Sequence, residues 1–136
     1  MRVCYYDNKG NEVTKYFFEE GNFIADIHNY NGQCPATEYI QAVTDCKYIS
    51  LSRDTMKDFS MTIVEWDNIL AKNITKGLAE NVNKISAMMP EDATERYLSF
   101  LEKFPSLTNH LPLNQLASYL GITQSSLSRI RKKIKI

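Results

Sequence analysis

The residues of this chain best suited to chemistry are cationic and gathered at one end. Glu102 is the last acid. Six Lys or Arg follow it, and five of these, Arg129, Arg131, Lys132, Lys133 and Lys135, occupy the last eight positions. Residues 1–102 hold all 16 Asp and Glu against 10 Lys and Arg, so a formal net charge of zero conceals −6 in that stretch and +6 in residues 103–136. A one-signed array on an otherwise acidic chain suits a polyanion. Arg129 can donate two hydrogen bonds to guanine O6 and N7, Gln124 can pair with an adenine edge, and Ser125 and Ser128 are short and adaptable. Arg131, Lys132, Lys133 and Lys135 are expected to neutralise phosphates, which gives affinity and salt dependence rather than sequence preference. The competing readings are a solvated helix face at a favourable C-terminal dipole and a frayed basic tail.

Other chemistries find little support. Cys4, Cys34 and Cys46 form an odd, scattered set without Cys-x-x-Cys spacing and read as reduced thiols. His28, Cys34 and Cys46 match no metal-ligand spacing and are expected to be core or loop residues, as is His110. There is no Gly-rich phosphate loop, Ser/His/Asp order or paired-carboxylate signature, so no enzyme, cofactor or metal site is expected. With 43% hydrophobic and 24% charged residues the chain has enough apolar side chains for a core. The longest apolar run is only a few residues and no secretory pattern opens the sequence, so the expectation is a cytoplasmic protein without a membrane partner.

Aligning the cations requires a helix, and the pattern supplies two. Leu113, Leu116, Ala117 and Leu120 fall at i, i+3, i+4 and i+7, and Gly121 follows where a helix ends in a left-handed residue. Ile122 then plugs the turn and Thr123 caps the next helix. There Leu127, Ile130 and Ile134 share the buried face, leaving Gln124, Ser125, Ser128, Arg129 and Lys132 outside. This is the pattern of a helix-turn-helix, in which small Ala117 lets the helices cross closely.

The preceding residues read as a β region and then helices. Val3 to Tyr6 and Val13 to Phe18 flank the turn cluster Asp7-Asn8-Lys9-Gly10-Asn11, which predicts an antiparallel hairpin. Tyr39 to Val43 and Lys47 to Leu51 read as two more strands, with a loop over Gly32 to Pro35. Ser52 can cap a short helix from Arg53. Ile63, Trp66, Leu70, Ile74, Leu78, Val82, Ile85 and Met89 then recur at about 3.7 residues per step, one stripe of a long helix that usually pairs with another. Pro90 ends it, Glu91, Asp92 and Glu95 favour a new helix N-terminus, and Tyr97, Leu98, Leu101 and Phe104 are expected to give its buried face before Pro105. The expected class is α+β, divided into residues 1–53, 54–89 and 90–136.

This arrangement resembles the Crp/Fnr family of transcription regulators, and most closely its divergent members common in Bacteroidetes-type bacteria. EEGNFIADIHNYNGQCPATEYIQAVTDC looks like the family's effector-lobe core, and ATERYLSFLEKFP with LPLNQLASYLGITQSSLSRIRKK looks like its DNA-binding lobe. The resemblance implies a partial antiparallel β-roll of the cyclic-nucleotide-binding kind, a long dimerisation helix, and a winged-helix-like end without a full wing. It also implies about fifty residues ahead of Met1 that complete the roll, and wing strands after the recognition helix for which the sequence given has no room. A homodimer on near-palindromic double-stranded DNA follows, with Trp66, Leu70, Ile74, Leu78 and Ile85 in the seam, or partly in intrachain packing. RNA polymerase and a small-molecule effector of unspecified chemistry are further implied partners.

Family groove contacts fall on Gln124, Ser125 and Arg129. Many members carry Glu where this chain has Ser125, so a carboxylate selecting cytosine is absent. Family nucleotide-binding positions fall on Ala25-Asp26 and on Ala36-Thr37-Glu38, without the phosphate-binding Arg. Independently, residues 16–46 contain no Lys or Arg and five acids, Glu19, Glu20, Asp26, Glu38 and Asp45. A buried phosphate there would be uncompensated, so cyclic AMP is not expected to bind. The functional expectation is a sequence-specific regulator. The alternatives are a sensory or protein-interaction dimer whose helix-turn-helix does not read DNA, and nonspecific nucleoid binding.

Overall fold

A computed structural model describes residues 1–88 and 92–134. The fold is mixed α+β, with one small antiparallel sheet and several helices. The residues divide into two compact units, one formed by Met1–Asp45 with Glu91–Ile136 and the other by Cys46–Pro90.

In the first unit, β1 (Arg2–Tyr6) and β2 (Glu12–Phe17) form the expected hairpin. Its turn closes through Asp7 N–H to Asn11 O at 2.9 Å, with the Asp7 carboxylate accepting from Lys9 and Asn11 N–H, both at 2.8 Å. Gly10 supplies the positive φ of 79°. A third strand, β3 (Tyr39–Gln41), pairs antiparallel with the other side of β1, giving the order β2-β1-β3.

The ladder contains one irregularity that decides how the sheet packs. Val3 faces Tyr16 and Cys4 faces Thr14, so Lys15 is an extra residue, a β-bulge. Side chains alternate along a strand, and the bulge resets the alternation so that Thr14 and Phe17 share a face. Arg2 in β1 lies on that face and is 1% exposed. Its guanidinium donates to Thr14 Oγ1 at 2.8 Å, Glu12 Oε1 at 2.5 Å and Gln41 Oε1 at 2.7 Å, joining all three strands. A buried cation requires such pairing.

That face meets the helices α4 (Ala93–Lys103) and α5 (Leu113–Leu120), and α6 (Gln124–Ile134) packs against α5. Phe17 inserts among Tyr119, Phe100 and Phe104, with ring centroids 5.0, 5.8 and 6.2 Å away. Thr14 N–H, on the outer side of β2, donates to Ser118 Oγ of α5 at 2.9 Å. Ser106 adds a 2.7 Å bond to Glu19. The sheet and helices thus share one core, completed by Tyr97, Leu116, Leu120 and Leu127.

Three expectations need correction. Lys47 to Leu51 is not a strand: the segment pairs with none of the three strands, and Tyr48 is 73% and Ile49 88% exposed, so no apolar side is covered to hold it extended. Leu98 does not belong to the buried face of α4: it is 42% exposed, and Phe100, two residues on, is buried there with Tyr97. Ahead of the Gly32 to Pro35 loop, where no element is expected, lies a short helix, α1 (Ile27–Gly32), capped by Asp26. The long helix starts three residues later than its stripe suggests. In the second unit α2 (Arg53–Thr62) ends at extended Ile63, and α3 (Trp66–Met88) begins after the β-branched pair Ile63-Val64. The break lets Phe59 and Trp66 pack edge to face at 4.8 Å. The expected terminator Pro90, with Met89 and Glu91, lies outside the described residues.

Phe17 tests the joint between sheet and helices. Phe17→Ala is expected to lower the unfolding free energy by about 3–5 kcal/mol, measured by urea denaturation of the full chain.

Candidate nucleic-acid interface

The turn between α5 and α6 is built as its residues require. Gly121 adopts φ 68° and ψ 32°, a left-handed conformation favouring glycine. Its N–H reaches Ser118 O at 3.2 Å, and Ile122 N–H reaches Ala117 O at 3.0 Å. Thr123 Oγ1 accepts from Ser126 N–H at 3.2 Å, capping α6. Leu116 and Ala117 of α5 and Leu127 and Ile130 of α6 are buried, with Ile122 and Ile134 packed against them.

Burying Leu127 and Ile130 turns the opposite side of α6 outward. Gln124, Ser125, Arg129, Lys132 and Lys133 are exposed, and Ser128 is half-buried. Arg129 Nε lies 3.4 Å from Ser125 O, one turn back on its own helix. With no acid beyond Glu102, nothing on α5 or α6 offsets these cations. Arg131 differs: it is half-buried and reaches α4, with Nε donating to Tyr97 Oη at 3.1 Å and the guanidinium 5.7 Å from the Tyr97 ring centre. Lys135 lies outside the described residues.

Two supports come from α4. Its capping box is complete: Asp92 accepts from Thr94 N–H at 2.6 Å and Glu95 N–H at 2.9 Å, while Glu95 accepts from Asp92 N–H at 3.0 Å. Arg96 Nε donates to Leu120 O, at the end of α5, at 3.2 Å. No local pattern announces Arg96, Thr14 or Ser118, and the apolar row that includes Tyr97 does not reveal the partner of its hydroxyl, because these contacts span 24 to 104 residues.

The residues expected in a dimer seam are distributed along α3. Trp66 is buried against Phe59, Leu70 and Ile74 are half-buried, and Leu78 and Ile85 are 60% and 63% exposed. Val82, at 61%, lies between these last two.

At the positions compared with a nucleotide site, Asp26 is occupied by its own neighbours. It accepts from Asn29 Nδ2 at 2.7 Å, Thr37 N–H at 3.2 Å and Asn29 N–H at 3.3 Å. Glu38 forms an ion pair with Lys15 at the bulge. Desolvation works against the Lys15 charge, but the bond to Glu38 and the nearby carboxylates outweigh it and raise its pKa above 10.5. Cys4 is buried, and Cys34, Cys46, His28 and His110 are exposed. Among the described residues no three His, Cys, Asp or Glu side chains gather as a metal site, and no helix is long and apolar enough to cross a membrane.

No protein-family model matches the chain, and no curated protein matches it significantly.

The aspartates that hold these segments give a signed pH dependence. Asp92 is held below the ordinary 3.8 by the Glu95 and Thr94 N–H groups, and Asp26 by the Asn29 side chain, against some desolvation. A lowered folded value means the stabilisation is whole above about pH 3.8 and disappears as pH falls through the lower value. Thermal midpoints measured from about pH 5 down to about pH 2 should therefore fall below that point. Asp92→Ala should melt lower at neutral pH and lose less on acidification.

Proposed function

We propose that this chain is a homodimeric, sequence-specific DNA-binding transcription regulator of the Crp/Fnr type that does not respond to cyclic AMP. The observation that carries the reading is the outward face of α6: Gln124, Ser125, Arg129, Lys132 and Lys133 are exposed on a helix whose other side is locked behind the Gly121 turn. In this reading α5 and α6 act as a helix-turn-helix. The start of α6 enters the major groove, Arg129 reads guanine, Gln124 and Ser125 read neighbouring bases, and Lys132 and Lys133 meet phosphates. The five acids and no Lys or Arg over residues 16–46, with Asp26 and Glu38 already engaged, support the absence of a cyclic nucleotide.

The dimer rests on the C-terminal half of α3. Ile74, Leu78, Val82 and Ile85 follow one another at four, four and three residues, and the last three are each at least 60% exposed. Such a stripe on a helix is an unfinished core that a second copy of the same helix completes. Trp66, packed on Phe59, serves the chain's own fold.

Sequencing of genomic fragments retained by the purified protein at physiological salt should return a two-fold-symmetric motif. Arg129→Ala should lose that preference at a cost of about 1–3 kcal/mol. Retention without any motif would indicate nonspecific nucleoid binding, and no retention of DNA by the wild type or by Arg129→Ala would indicate a helix pair that serves a protein partner.

Leu78→Glu is expected to convert a dimer to a monomer in sedimentation equilibrium while leaving the far-UV spectrum unchanged, because Leu78 is exposed within its own chain.

A further inference from the structure

Arg131 belongs to the basic cluster by sequence, yet it is placed unlike its neighbours. Lys132 and Lys133 are exposed, whereas Arg131 lies against α4. Its Nε is engaged by the hydroxyl of Tyr97, a residue only 1% exposed, and its Nη2 is buried with no hydrogen-bond partner among the described residues. A guanidinium 5.7 Å from the ring centre and hydrogen-bonded through Nε to the ring's hydroxyl would have to leave this seat to pair with a phosphate. The residue before Tyr97 points the same way: Arg96 holds the last carbonyl of α5, at Leu120. Two adjacent residues of α4 therefore grip both helices of the α5–α6 pair, one at the end of α5 and one on the side of α6.

We propose that Arg131 is a positioning residue that sets the angle of α6 against α4 through the Tyr97 hydroxyl and does not itself contact DNA. The proposal rests on the DNA-binding reading for its consequence, since a tilted α6 would present Arg129 and Gln124 to the groove in the wrong register. It also makes a statement about the protein alone: Arg131 and Tyr97 are energetically coupled.

The test is the salt dependence of binding by the full chain to a fluorescein-labelled mixed-sequence duplex of about 30 base pairs, long enough for two half-sites. Each variant is measured at a temperature where circular dichroism shows it folded. Lys132→Ala and Lys133→Ala serve as phosphate references, each expected to lower the slope of log K against log salt by about 0.9. Arg131→Ala, Arg131→Lys and Tyr97→Phe should weaken binding about threefold or more at every salt concentration with the slope unchanged, and Tyr97→Phe combined with Arg131→Lys should be no worse than the poorer single variant. Full rescue by Arg131→Lys, or a slope loss of about 0.9 in Arg131→Ala, would make Arg131 a phosphate contact and overturn the proposal. A thermal-unfolding double-mutant cycle on the same variants separates the two levels. If wild type binds the duplex at no salt concentration, the DNA-binding reading fails, and the cycle alone decides: coupling supports the strut, and additivity overturns it.

Discussion

Lys15 has no opposite number across the β1–β2 ladder, and the packing of the first unit follows from that one extra residue. Without the bulge, Thr14 and Phe17 would point to opposite faces, and the Thr14 hydroxyl that receives Arg2 could not lie on the side of the sheet where Phe17 meets the helices. With it, Thr14 N–H meets Ser118 while Phe17 enters the ring cluster of Phe100, Phe104 and Tyr119. Arg2 is covered in the same arrangement and is tolerable because three acceptors from the two flanking strands surround it. Glu38 pairs with the bulged lysine, so the loop before β3 is tied to the same point.

From that core the constraint passes outward to the basic face. Leu116 and Leu127 are fully buried, which fixes which side of α6 faces inward. Gly121 fixes how sharply the chain turns between the helices, and Thr123 fixes where α6 starts. The exposed cations contribute nothing to this scaffold; their positions are a by-product of what the other side buries. Arg129 is free to change without disturbing the fold, because among the described residues its side chain is bonded only to its own helix.

The parts of this structure legible in the sequence are those governed by neighbours along the chain. The Asp7 to Asn11 turn, the Asp92 capping box, the left-handed Gly121 and the apolar rows of α5 and α6 are all set within about a turn of residues. The candidate site was legible to the same extent, since exposure on α6 follows from its own periodicity. Arg131 escaped this logic because its position at the edge of the exposed face is ambiguous by period and is decided by Tyr97, 34 residues away. The docking of β2 on α5 has no local signal, and neither does the bulge. Lys47 to Leu51 shows the converse: its composition favours a strand, but a strand forms only where it pairs and buries one side, and Tyr48 and Ile49 are left exposed.

The first unit is discontinuous in the chain, made from residues on both sides of the second. During synthesis the hairpin emerges early, while Phe100, Phe104 and Tyr119, the rings that receive Phe17, are translated more than eighty residues later. The nascent hairpin therefore waits with Phe17 uncovered while α2 and α3, built from one continuous stretch, are free to form first. Closing the first unit brings ends of the chain together across that intervening stretch, so its folding rate is governed by long-range closure rather than by the quick local steps of its helices.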